Sequence, residues 1–275
     1  MDFQFTPNTS NMDIQQILAS PLVTFVVGPE EHEVRPHAYA ISRQSPVLRV
    51  LLEGPFKEAK DKIVKWPEVD VETFYRFMDF AYRQDYRVPE PLKVPFPPIP
   101  PLAQKIPEFG PQHLVIFNSW GGPQHFEIPY INDWATSDDY PGALWTWCGD
   151  GNRRDEDWSP ALAAHAKLYV LGDTYQIIPL CRLACFRAYS ILRRYCIHAP
   201  ECPEMEGLIW FARYIYNNTP PRSVTKDPMR ELISRYLANN QEEVPDCEEF
   251  QQLLEDVPEL ADDFIMEFTK EHHLE

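Results

Sequence analysis

The N-terminal third of the chain switches repeatedly between the period-two spacing of strands and the 3.6-residue spacing of helices. Residues 12–18 (MDIQQIL) fit a short helix. LVTFVVG (22–28) is a β-branched and aromatic run closed by Gly28-Pro29, which predicts a buried strand and a turn. HEVRP (32–36) predicts a second short strand, so 22–36 is expected to fold as a hairpin. From His37 the apolar positions Tyr39, Ile41, Val47, Leu48, Leu51 and Leu52 take helical spacing, and Ser45-Pro46 reads as an N-cap with proline at the first helical position. Residues 62–66 predict another strand. Val71, Phe74, Phe77, Met78, Ala81 and Tyr82 then stand at i, i+3, i+6, i+7, i+10 and i+11, the stripe of a helix with one buried face.

The pattern breaks at Pro89. Residues 89–160 hold thirteen of the twenty-eight prolines, six of the ten glycines and five of the seven tryptophans: Trp120, Trp134, Trp145, Trp147 and Trp158. VPFPPIPP (94–101) favours polyproline II, and LVIFNS (114–119) is the one short strand expected there. Linkers are poor in tryptophan, so the segment is expected to pack its indoles on the domain or on a partner. Helical spacing resumes at Ser159-Pro160, again a cap followed by proline. Helices are predicted over 160–173, 176–195, 204–216, 228–238 (opened by Asp227-Pro228), 247–256 (Asp246 and Glu249 forming a capping box) and 258–268.

Charge narrows the possible partners. The net charge is −17, which repels phosphate backbones, so no nucleic-acid ligand is expected. Residues 240–275 carry thirteen acids against one base, Lys270, a solvated acidic face or a surface for a basic partner. No window is apolar enough for a membrane span, and no membrane partner is expected. MDFQFTPNTSNMD lacks the basic start and apolar core of a secretory leader, so a reducing compartment, cytoplasmic and/or nuclear, is expected.

Catalytic patterns are absent from the sequence. It contains no GxSxG, GxGxxG, Walker loop or HExxH, and Cys148 in TWCGDG has no local base. The chain is therefore read as a non-enzyme with no cofactor. Cys181 and Cys185, with Cys196, His198 and Cys202, could supply a zinc set, but the absence of any CxxC pair favours core thiols, and no metal is assigned.

Four landmarks in one register carry a resemblance: His37, Ile41, Ser45 and Leu48, followed by Phe56-Lys57-Glu58, the strand and acidic turn IVKWPEVD, and the helix VETFYRFMDFAYRQDY with Phe74, Phe80 and Tyr82. Beyond the proline-rich segment, AKLYVLGDTYQIIPL (166–180) is similar to a closing helix pair. In this order they resemble the BTB/POZ family, and the segment between the halves together with PPRSVTKDPMRELI (220–233) is similar to its fungal branch. The resemblance implies an α+β fold, a small sheet flanked by helices, followed by an all-α extension. It implies an N-terminal segment (1–19), a first BTB/POZ part (20–88), an insertion (89–159), a second part (160–195) and a helical extension (196–275). His37 and the Phe74/Phe77/Tyr82 stripe are read as structural, His37 as a cap or backbone partner inside a small core.

Phe56-Lys57-Glu58 is the exception, expected in a surface loop. In cullin-binding members of the family, a matching hydrophobic-x-Glu element contacts the cullin scaffold of a ubiquitin ligase, and that role is carried onto Phe56 and Glu58. The competing reading tucks Phe56 inward and leaves Glu58 merely exposed. Many self-associating members have an Asp before the first strand and a basic residue after the landmark His, where this chain has Leu22 and Ala38. That points away from the usual homodimer and leaves a monomer or another pairing. The expected function is protein–protein recognition. It is either that of a substrate adaptor of a cullin–RING ligase, with Trp120, Trp134, Trp145 and Trp147 as the surface for an unknown substrate, or that of an assembly or regulatory protein with no ubiquitin role.

Overall fold

The computed structural model describes residues 14–93, 156–192, 203–220, 227–240 and 248–272. They fall into two compact units. The first holds the described residues up to Val88 together with Lys167–Phe186, and the second holds the rest.

In the first unit α1 (Ile14–Ala19) precedes β1 (Thr24–Val27), which pairs antiparallel with β2 (His32–Val34), Phe25 opposite Val34. The hairpin turns through left-handed backbone at Gly28 and Glu31 (φ 72° and 52°), the first a conformation that glycine takes without a side-chain penalty. β3 (Ile63–Trp66) lies parallel to β1 on its other side, Phe25 opposite Val64, giving the order β2-β1-β3. β1 is therefore central, as its apolar sequence predicts. β3 is an edge, and its residues alternate accordingly: Val64 and Trp66 are buried, Ile63 and Lys65 exposed.

A parallel pair needs a long crossover. Here it consists of α2 (Ala38–Ser42), α3 (Pro46–Glu53) and α4 (Lys57–Asp61). Ser45 divides the first two: its hydroxyl accepts the Leu48 N–H at 3.1 Å, with Pro46 at the first helical position, as the sequence indicates. His37 departs from expectation. Its imidazole makes no cap; instead the Tyr82 hydroxyl accepts the His37 backbone N–H at 2.9 Å and shares a second hydrogen bond of 2.9 Å with Nδ1. One phenol thus ties the start of α2 to the helix that follows β3.

That helix, α5 (Val71–Arg83), buries Phe74, Phe77, Met78 and Ala81 as predicted, and also Phe80. Against β1 and β3 it builds an aromatic core. The Phe25 ring lies 5.0 Å from Trp66 and 5.2 Å from Phe74, and Trp66 stacks on Tyr175 at 4.4 Å. Gln44 links α2 to α5, donating to the Ala40 and Ala81 carbonyls at 2.8 and 3.0 Å.

Asp70 caps α5. It accepts the Thr73 N–H and hydroxyl, each at 2.9 Å, and the Lys167 ammonium at 3.0 Å. Burial alone would raise its carboxyl, but these donors outweigh burial and hold it below its ordinary 3.8. A carboxyl depressed in the folded state stabilises fully above its unfolded pKa and loses that stabilisation as pH falls through the folded value. Asp70→Asn keeps an oxygen for the cap and removes the titration. Its unfolding midpoint should therefore fall less steeply than the parent's as pH drops below the ordinary carboxyl value of 3.8; parallel acid limbs would contradict this.

In the second unit β4 (Leu92–Lys93) and β5 (Glu156–Asp157) form a two-residue antiparallel ribbon, with Lys93 Nζ 2.7 Å from Glu156. Nothing in the sequence pattern announced it. It sets residue 93 beside residue 156, so the chain leaves and re-enters at one place. The expected strand at 114–119 and Asp246 lie outside the described residues.

α6 (Ser159–Thr174) and α7 (Ile178–Leu192) are buried around most of their circumference. Ser159 is not the cap it was expected to be. The Trp158 carbonyl takes the first helical bonds, from the Ala161 and Leu162 N–H groups, and the Asp157 carboxylate accepts the Ser159 N–H at 2.8 Å. Gly172 is required by packing, since a Cβ there would lie 2.7 Å from Cys181 Sγ. Cys181 and Cys185 are free thiols, one half-buried and one buried; Cys196, His198 and Cys202 lie outside the described residues. No group of three metal-ligating side chains occurs among the described residues.

α8 (Pro203–Asn218) packs on α9 (Pro228–Asn239) and α10 (Glu248–Asp256), and α9 packs chiefly on α11 (Pro258–His272). Asp227 caps α9 as predicted, accepting the Met229 and Arg230 N–H groups at 3.0 and 2.9 Å. None of the described helices is long and apolar enough to cross a membrane.

Candidate interaction surface

Phe56 owes its position to the way α3 ends. Gly54 donates its N–H to the Val50 carbonyl at 2.9 Å, and any Cβ at Gly54 would sit 2.3 Å from that oxygen, so only glycine allows this ending. Pro55 follows, and Phe56 then adopts extended backbone as the N-cap of α4. Triplet and expectation differ here: Phe56-Lys57-Glu58 opens a short helix and does not form a loop. KEAKD has no apolar period that could have announced that helix.

A phenylalanine cannot accept a hydrogen bond, so α4 has no side-chain cap. Ser, Asp or Asn there would stabilise the helix by about 1 kcal/mol. The ring is also 50% exposed, which makes it a poor core residue. Of the two readings, the inward one does not hold: Phe56 projects from the surface at a position where neither capping nor burial accounts for it. Glu58 stands in the first turn, half-buried, and Lys57 is exposed with Asp61 4.0 Å away.

Further apolar side chains are exposed on this unit. Val50 on α3, the helix that packs on α4, is 49% exposed. It stands outside the helical stripe of Val47, Leu48, Leu51 and Leu52. Leu22, in an isolated bridge to His37, is 51% exposed, and Ile14 and Leu18 share the exposed face of α1. Trp120, Trp134, Trp145 and Trp147 lie outside the described residues.

The three-stranded sheet with its helical crossover, the Ser45 cap and the His37–Tyr82 tie all fall within the stretch that matches the BTB/POZ domain family model, residues 22–94. Residues 22–94 are a BTB/POZ domain. The family is one of interaction domains and is not catalytic, so the BTB/POZ part of this chain is a protein–protein interaction module. The helical C-terminal region follows it, and the whole fits the α+β class. No curated protein and no solved structure matches the chain.

Proposed function

We propose that the BTB/POZ domain is the scaffold-docking half of a cullin–RING ubiquitin ligase adaptor, and that Phe56 and Glu58 make the contact. The observation that carries this reading is the uncapped, half-exposed Phe56 at the mouth of α4, with Glu58 two residues on in its first turn. An aromatic anchor that desolvates on binding, flanked by a carboxylate, is the composition of an interface hot spot. The tryptophans Trp120, Trp134, Trp145 and Trp147 supply the second surface in this proposal, for a substrate protein, and the protein works in the cytoplasm and/or nucleus. The proposed layout is a domain split into 20–88 and 160–195 by the segment 89–159, with 196–275 as its extension.

Co-purification with a cullin tests the docking. Phe56→Ala with Glu58→Ala is expected to weaken capture by at least about thirtyfold, two hot-spot truncations at roughly 1–2 kcal/mol each. Both sites are partly or wholly solvent-exposed, so the melting temperature should move little. Capture that is unchanged in the double variant, or no capture by the parent protein, leaves the reading of an assembly or regulatory protein with no ubiquitin role. A short turn replacing residues 94–155, joined at the Lys93–Glu156 ribbon, should keep cullin capture and lose the substrate; retained substrate would remove the tryptophans from the proposal.

A further inference from the structure

Four of the nine lysines of this acidic chain lie within residues 57–65: Lys57, Lys60, Lys62 and Lys65. All four are exposed: Lys65 lies on β3, Lys62 immediately precedes it, and Lys57 and Lys60 are on α4, which packs against β3. Among the described residues β3 pairs with β1 alone. The Lys62 and Trp66 carbonyls turn inward and accept the Thr24 and Gly28 N–H groups at 2.9 and 3.0 Å. Because backbone groups alternate along a strand, the N–H and C=O of Ile63 and of Lys65 point away from β1. No described strand takes them. The side chains of the same two residues are exposed, Ile63 offering an apolar contact at 45% exposure.

Two of the four charges are only loosely held. Lys57 lies 4.0 Å from Asp61 and Lys65 lies 3.5 Å from Glu31, both exposed pairs. Pairs of that kind contribute about 0–1 kcal/mol. Lys60 and Lys62 have no acidic partner among the described residues. From Arg49 to Lys65 the chain has five bases and three acids (Glu53, Glu58, Asp61), a net +2, so the remainder carries −19. An edge so placed repels a basic strand and attracts an acidic one.

We propose that the β3 edge binds an extended, acidic segment of a partner protein by strand addition. Main-chain bonds to Ile63 and Lys65 give it register, alternate carboxylates meet the lysines, and an apolar side chain of the segment covers Ile63. Lysine on a short edge strand also deters edge-to-edge aggregation, and a guard of that kind would bind nothing. The two readings part in solution. Lys57 lies within the Phe56–Glu58 triplet, but Lys62, Ile63 and Lys65, which the variants test, lie outside it, so either proposal can fail alone.

The probe is a fluorescent seven-residue peptide alternating glutamate and valine, titrated into the full chain. Its controls are the lysine–valine counterpart and a single-stranded oligothymidylate. Saturable binding of the glutamate peptide below about millimolar concentration is expected, with the Ile63 and Lys65 amides gaining protection from hydrogen exchange. Lys62→Glu with Lys65→Glu should weaken it at least about tenfold. Lys65→Pro removes an outward N–H without touching the pairing to β1 and should weaken binding well beyond Lys65→Thr, which removes only the charge. Melting curves verify that each variant is folded. No saturable binding identifies an edge guard only and overturns the proposal. Equal binding of the oligothymidylate, or equal affinities for Lys65→Pro and Lys65→Thr, overturns strand addition.

Discussion

Arg230→Ala should destabilise the C-terminal helices by about 3–5 kcal/mol, the cost of breaking a buried, charged hydrogen-bond network. The side chain is only 3% exposed. Nε donates to the Thr219 hydroxyl at 2.8 Å, while Nη2 donates to the Tyr216 and Thr219 carbonyls at 3.0 and 2.7 Å. Nη1 pairs with Glu259, and the guanidinium lies 4.6 Å from the centre of the Tyr216 ring. The two carbonyls belong to the last turn of α8 and the residue after it, where a helix leaves its acceptors without internal donors. A side chain of α9 therefore closes the end of α8 and holds α11 through Glu259. Alanine would strand those carbonyls in a dry interior, whereas Glu259, half-exposed, can return to water. Arg230→Lys keeps the charge but has no planar fork to serve four acceptors, so it should recover only part of the loss. Urea unfolding measures both; a cost under about 1 kcal/mol for alanine would mean that water replaces the arginine.

The same region shows where sequence reading stops. Asp227-Pro228 announced α9 because a cap and a fixed φ are local properties, visible in two adjacent letters. Arg230 did not stand out. It sits one turn further on, and nothing in PMRELI distinguishes an arginine that reaches back to α8 from one in solvent. Ser45 and Ser159 make the contrast sharper. Both precede proline, yet only Ser45 is the cap, because Asp157 lies two residues before Ser159 and takes its N–H first. The β4–β5 ribbon was invisible for another reason. Two residues on each side have no period to read, and the pairing joins residues 93 and 156 across a segment whose composition says nothing of where its ends meet.

At the candidate surface the structure departs from the sequence reading in form: Phe56 is exposed, but the expected loop is a short helix. Family order placed Phe56 and Glu58 before β3, but α4 depends on Gly54 ending α3 against the Val50 carbonyl, a close approach that no pattern of apolar positions encodes. Exposure of Leu22 was equally hidden, because apolar letters at strand spacing predict burial and nothing local marks the exceptions.

Trp66→Ala should cost the first unit about 3–5 kcal/mol, the range for truncating a buried aromatic. The indole is 4% exposed. Phe25 lies 5.0 Å from it, Phe74 and Phe77 each 5.8 Å, and Tyr175 is stacked on it at 4.4 Å. Phenylalanine at 66 would keep most of the burial and should cost less than half as much. The stack can be isolated by a double-mutant cycle with Tyr175→Ala, for which a coupling of about 0.5–1.5 kcal/mol is expected. Tyr175 makes the test informative beyond the core, because it stands outside the residues that match the BTB/POZ model. Lys167, which pairs with the Asp70 cap at 3.0 Å, stands outside them as well. Both belong to the same compact unit as the sheet. A chain ending at residue 93 would leave the Trp66 ring face bare and the α5 cap without its ammonium. Such a fragment should melt well below the full chain or remain unfolded, while adding back residues 159–192 in trans should raise its melting temperature. A fragment as stable as the parent, or a coupling near zero, would mean that the matched residues complete their core without Tyr175.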